Sequence, residues 1–239
     1  MAALTAAGLV ASISNAALGI GGGLLVMPLL ALWFAPRMAV GYTIPMFFAS
    51  NIAISWRYRD SVKRHLLIWI IPGVLAGITA GTWFLRSAPS DLLRWVMGGL
   101  AVVFVSLEVL RLTRKQPTRG LPLWSAIPLS SAAGVASAMT NLGGTVVSLV
   151  MLGQDLEPAV FVGTLNVVML AMSAAKMMAF YGLGLVTWHG LVLALPSIPA
   201  VLIGSKIGQQ LNRRMAGLTF RWVLVGVISA SAILLLAGY

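Results

Sequence analysis

Two short segments carry the residue types and spacing that can do chemistry in this chain: Gly19-Ile20-Gly21-Gly22-Gly23 and Asn141-Leu142-Gly143-Gly144-Thr145. Glycine costs about 1 kcal/mol relative to alanine in a helix interior, so each segment reads as a break. Both breaks sit within long apolar runs, and at membrane depth non-helical backbone persists only where protein or a water-filled cavity satisfies its polar groups. A half-helix that starts after such a break aims free N–H groups and a partial positive charge at whatever lies ahead of it. The result is a site for a small anion formed by backbone alone. Gly21, Gly22, Gly23, Gly143, Gly144 and Thr145 are therefore candidate substrate-binding residues, with Asn141 beside them. The plainer reading is that these glycines only allow close helix packing.

Polar side chains inside apolar runs are the second set of candidates, because they are costly in lipid. Lys176 has no acid within reach along its own helix, so its ammonium can attract an anion; alternatively it snorkels to the interface near Tyr181. Asn51 and Asn166, with Thr43, Ser50 and Thr164 close by, can donate hydrogen bonds to oxyanion oxygens or simply bond neighbouring helices. Asn15 and Thr140 lie next to the breaks and have the same two readings. Arg94, Lys206 and Arg221 fall near the ends of apolar runs, as do Trp83, Trp95, Trp188 and Trp222, where interfacial anchors belong.

Other chemistry is excluded. The chain has no cysteine, and His65 and His189 are too far apart to suggest a metal site. No P-loop or nucleophile–base set is present, so neither an enzyme nor a cofactor is expected. The five acids are Asp60, Asp91, Asp155 and Glu157 in loops and Glu108 near a run's end, which leaves none at mid-membrane for cation transport.

The elements that must position these residues are helices in a bilayer. Hydrophobic residues make up 59% of the 239 and charged residues 9%, against about 25% charged in soluble domains. A net charge of +11 would suggest nucleic acid in a soluble protein, but here the basic residues fill short gaps between apolar runs, where they orient helices. No nucleic-acid partner is expected. The apolar start lacks a basic n-region and belongs to the mature fold rather than to a cleaved signal peptide. Runs long enough to span sit near 39–56, 65–85, 92–110, 159–181, 187–208 and 217–237, while 2–34 and 122–152 are interrupted by the two breaks.

The chain also repeats itself. Pro72, Gly77 and Gly81 recur as Pro199, Gly204 and Gly208, and Leu93-Arg94-Trp95-Val96 is echoed by Phe220-Arg221-Trp222-Val223, each 127 residues on. Around the breaks the offset is 122, which also places Gly41 over Gly163. The domains are thus a first repeat at 1–110, a basic linker at 111–121 and a second repeat at 122–239. If each broken stretch crosses the membrane, the repeats are parallel; if each is re-entrant, they are inverted. In the re-entrant arrangement one face gathers four basic residues from 57–64, four from 111–119 and two from 209–215, against Arg37 and Arg86 opposite. The crossing arrangement gives eight against four. The charge rule prefers the first, with basic loops cytoplasmic and both termini outside. The expected fold is all-α and polytopic: two inverted repeats, each a broken re-entrant hairpin plus three transmembrane helices.

Gly19-Ile20-Gly21-Gly22-Gly23-Leu24-Leu25-Val26-Met27-Pro28, the Gly143-Gly144 copy, and the Pro-x4-Gly-x3-Gly helix followed by the Arg-Trp helix resemble the TauE/SafE family over essentially the whole chain. That resemblance implies a permease without ATPase that exports sulfite or organosulfonate anions across the bacterial inner membrane. Members differ in substrate. This chain departs from the glycine pattern where Asn141 and Thr145 stand opposite Gly19 and Gly23. The expected function is a secondary transporter working by alternating access, with a small inorganic or organic sulfur anion as partner, membrane lipids around it, and a surface that leaves room for a homodimer. The alternatives are an anion channel, a permease for another oxyanion, or a membrane scaffold.

Overall fold

The computed structural model describes residues 9, 12–13, 36–113, 125–141, 143–152, 154, 156–184, 186 and 197–214. Its regular elements are seven helices: α1 (Pro36–Arg57), α2 (Arg64–Ser87), α3 (Ser90–Thr113), α4 (Ala126–Thr140), α5 (Gly143–Leu152), α6 (Pro158–Gly182) and α7 (Ser197–Arg214). No strand occurs among the described residues. By length and apolarity two of the helices can cross a membrane, Arg64–Ser87 and Ala159–Gly182. At 22 and 24 residues α1 and α3 are as long, but α1 carries Thr43, Ser50 and Asn51, and α3 carries Asp91, Arg94, Glu108 and Arg111.

α2 shows how the sequence specifies packing. Leu66, Ile70, Val74 and Ile78 recur every four residues and are buried in the core with Val147, Val150, Leu165 and Val168. Gly73, Gly77 and Gly81 form a second four-residue stripe, which lies on α4. A Cβ at Gly73 would stand 2.5 Å from the Ile127 carbonyl oxygen, one at Gly77 would meet Ser131 O and lie 2.9 Å from Gly134 Cα, and one at Gly81 would lie 2.9 Å from Ala138 Cβ. Lipid tails are as apolar as leucine, so helices in a bilayer gain little by burying hydrophobic surface and associate through close van der Waals fit instead. The recurrent Pro-x4-Gly-x3-Gly pattern is that fit. On the outside of the bundle, Thr79, Ser87 and Ser106 donate their hydroxyls to the carbonyls of Leu75, Trp83 and Val102, four residues back, so no hydroxyl proton is left in need of water.

The second broken stretch is two helices, and the chain reverses between them. A Cβ at Gly143 would stand 2.5 Å from Ser137 Cβ and 2.6 Å from the Ala133 carbonyl oxygen. In one continuous helix Ala133 and Gly143 would be about 15 Å apart. α5 therefore folds back along α4, and neither arm, at 15 and 10 residues, is long enough alone for a hydrocarbon core of about 30 Å. The reversal is made at Asn141, whose φ of 59° is the left-handed conformation that asparagine tolerates better than most residues.

Two glycine contacts follow the sequence offsets. Gly77 of α2 lies on Ser131 and Gly134, and Gly204 of α7 lies on Leu9 and Ser12, where its Cβ would stand 2.7 Å from Leu9 O. Gly204 is Gly77 plus 127, and Leu9 and Ser12 are Ser131 and Gly134 minus 122. The contact of α2 with α4 is thus matched, at the sequence offsets, by that of α7 with Leu9 and Ser12. Gly163 similarly admits the loop after α1, which approaches through Tyr58 O and Ser61 O.

Several boundaries differ from the sequence expectation. α3 runs on through Arg111 to Thr113, into residues assigned to the linker, and α7 ends at Arg214 rather than near 208, taking Arg213 and Arg214 out of the expected loop. Cations at a helix C-terminus meet its negative dipole end, which favours continuation where an apolarity count stops. The first break and the run at 217–237 lie outside the described residues.

The glycine stripe generates a stability test. Gly77→Val should destabilise by about 1–3 kcal/mol through overpacking, lowering the thermal midpoint in detergent by several degrees. Gly99→Ala, at a position with open space around it, should leave the midpoint unchanged or raise it.

Candidate functional site

The tip of the α4–α5 hairpin meets α1 and α6 at a small cavity lined by Phe47, Asn51, Ser137, Asn141, Gly144, Met169, Met172, Ser173 and Lys176. Four of these, Met169, Met172, Ser173 and Lys176, fall at i, i+3, i+4 and i+7 on α6 and so share one face of it. α4 contributes its C-terminal end and α5 its N-terminus, where the first N–H groups have no partner within their own helix.

Lys176 decides between its two sequence readings. It is 3% exposed and does not reach an interface. Its Nζ donates to the Ser137 carbonyl oxygen at 3.2 Å and to Asn141 Oδ1 in a short contact. Both partners are neutral, and among the described residues no carboxylate pairs with it. The Ser137 carbonyl also accepts the Asn141 N–H at 3.1 Å, so the ammonium caps the negative end of α4 at the point where the chain turns. Asn141 completes the arrangement by donating Nδ2 to Thr43 Oγ1 at 2.8 Å.

Asn51 is buried and lines the cavity, but it does not present donors to it. Its Nδ2 donates to the Met169 carbonyl at 3.2 Å and to Ser173 Oγ at 3.0 Å, which occupies both amide hydrogens. Oxyanion donation by Asn51, as the sequence suggested, does not occur in this arrangement. Asn51 and Ser173 are 122 residues apart, the sequence offset that relates the two breaks, so positions matched by that offset touch each other here. Asn166 is also buried but donates to Val162 O at 2.9 Å on its own helix and does not line the cavity. Thr145 sits in the first turn of α5 with its Oγ1 buried and unpartnered. Thr164 has a different task, accepting the Lys63 N–H at 2.9 Å and pinning the loop before α2. Gly143 and Gly144 are where expected, at the start of α5. Gly21, Gly22 and Gly23 lie outside the described residues.

Five lining residues escaped the sequence reading: Phe47, Ser137, Met169, Met172 and Ser173. Counting back from Lys176 by helical spacing would have found three of them, and the 122-residue offset places Ser173 opposite Asn51. The thioethers close the site: Met169 Sδ would be 2.9 Å from a Cβ on Gly144, and Met172 Sδ 3.0 Å from one on Gly143. The cavity they leave is about 10 Å³, close to the minimum that holds one water. Any larger occupant requires these flexible side chains to move, which methionine does readily.

Asn141 should respond to substitution in a graded way. Asn141→Gly keeps the left-handed turn and loses the side-chain bonds, whereas Asn141→Ala loses both. The alanine variant is expected to melt lower than the glycine variant by the equivalent of about 1 kcal/mol, measured side by side in one detergent.

Comparison with known proteins agrees with the membrane reading. Over 167 residues, 69% of this chain and 68% of the relative, it is 25% identical to the probable inner membrane transporter protein TsaS of Comamonas testosteroni. No solved structure matches. Residues 4–235 match the family described as Sulfite exporter TauE/SafE. The chain therefore belongs to the TauE/SafE family, whose members are membrane transporters and not enzymes.

Proposed function

We propose that this protein is a secondary transporter that exports a small sulfur-containing anion across the bacterial inner membrane by alternating access. The single observation that carries this reading is Lys176: a buried cation with neutral partners only. Removing an ammonium from water costs several kcal/mol, and an anion arriving beside it offsets that cost. The N–H groups of Gly143, Gly144 and Thr145 at the start of α5 offer the same anion a positive dipole end. An oxyanion bound here displaces Lys176 from the Ser137 carbonyl and pushes Met169 and Met172 aside.

The reciprocal seating of Gly77 and Gly204 and the Asn51–Ser173 contact support a two-fold relation between the halves. Together with the basic loops this favours inverted repeats with re-entrant hairpins, basic loops in the cytoplasm and both termini outside. The closed cavity favours a carrier over an open channel. An inside-negative potential expels a monovalent anion with about 2.3 kcal/mol per 100 mV, so export needs no coupled ion. The exposed side chains of Trp83 and Trp95 suit a lipid-facing surface.

Efflux of radiolabelled sulfite and simple alkanesulfonates from proteoliposomes tests this reading. Lys176→Met should reduce affinity by about 10- to 100-fold, the worth of one charge-assisted hydrogen bond. Asn141→Asp should give the ammonium a permanent counterion and abolish flux in a protein that still folds. Undiminished efflux in both variants would remove Lys176 from the site.

A further inference from the structure

Hydrogen-bond accounting at Asn51 says something about the substrate that the positive charge of Lys176 does not. The orientation of this amide is settled, because the Met169 carbonyl oxygen can only accept, so the atom facing it at 3.2 Å is the nitrogen. Both amide hydrogens are then engaged, on Met169 O and Ser173 Oγ. The remaining atom, Oδ1, is buried and has no donor. Asn51 is 1% exposed, on a helix packed against α6, and lines the same cavity as Lys176, Asn141 and Gly144.

The cavity consequently has two poles. One is made of donors, the Lys176 ammonium and the first N–H groups of α5, and suits an anionic head. The other is Asn51, a lining residue whose unpaired polar atom, Oδ1, is an acceptor with no hydrogen to offer. An anion made only of acceptor oxygens fits the first pole and sets oxygen against oxygen at the second. A buried acceptor left unpaired costs free energy comparable to a lost hydrogen bond, and sites built around such groups discriminate strongly against ligands that cannot pair them.

The geometry points to Asn51 Oδ1 as the specificity-determining acceptor of this site, selecting sulfur anions that carry their own O–H or N–H donor, such as hydroxyalkanesulfonates and aminoalkanesulfonates, over isosteres that lack one. This inference rests on the anion-transport reading above and narrows its substrate class. Met169, whose carbonyl receives the Asn51 amide, also covers Gly144 with its thioether, so the acceptor and the closing side chain are tied to one residue of α6.

The test is a comparison of two anions of matched size, 2-hydroxyethanesulfonate and 1-propanesulfonate, which differ by a hydroxyl in place of a methyl. Transport of each is measured in proteoliposomes of the full chain. The wild-type protein should prefer the hydroxylated anion by about tenfold or more. Asn51→Leu should lose that preference. Equal transport of both anions by the wild-type protein would overturn the inference while leaving anion export standing, and would mean that a water satisfies Oδ1. Transport of neither anion, nor of sulfite, would overturn the export reading and this inference with it. If Asn51→Leu fails to fold, the wild-type ratio alone still decides.

Discussion

A buried ammonium holding the reversal of a broken helix is the interaction on which the rest of this structure depends. Lys176 ties Ser137 O and Asn141 Oδ1 together at the tip of the α4–α5 hairpin, and Asn141 in turn reaches Thr43 on α1. Three helices and a turn are thereby joined through one charge. In the function proposed above the same charge attracts the anion, so the group that closes the tip is also the group a substrate competes for. A transporter needs such an element, since a ligand shifts a conformational equilibrium only through contacts that differ between its states.

Around this tip the bilayer dictates the means of assembly. With little hydrophobic drive between helices in lipid, the helices are held by close backbone approach along Gly73, Gly77 and Gly81 and by polar contacts such as Asn51 with Ser173. The glycine stripe of α2 lies on α4, and α1 packs on α6 where Asn51 meets Ser173. The cavity between them is closed, with methionine thioethers over the glycine tip.

Some of this was legible in the sequence and some was not, for identifiable reasons. The second break was legible because glycine doublets are costly in helices, and the structure places the reversal at Asn141. The Pro-x4-Gly-x3-Gly repeat was legible as a pattern, but its purpose, close backbone contact with α4, depends on residues 50 or more positions away in the chain. Lys176 stood out as a charge in an apolar run, yet snorkelling and burial differ only in which way the side chain points. Asn51 and Asn166 looked alike; one lines the cavity and the other bonds its own helix, a distinction set by helix rotation that composition does not encode. Ser137, Met169, Met172 and Ser173 are ordinary membrane-helix residues and carry no signal until the face shared with Lys176 is known. The ends of α3 and α7 were missed because basic residues extend helices past the point where hydropathy falls.

The central claim is that an anion binds beside Lys176 at the hairpin tip. Its most direct test is an experimental structure of the protein with a heavy-atom analogue, selenate or a bromoalkanesulfonate, located by anomalous scattering. The account predicts a peak within hydrogen-bonding reach of Lys176 Nζ and the N-terminus of α5, with Nζ no longer on the Ser137 carbonyl. A peak elsewhere in the protein, with Lys176 still seated on Ser137 and Asn141, would contradict it.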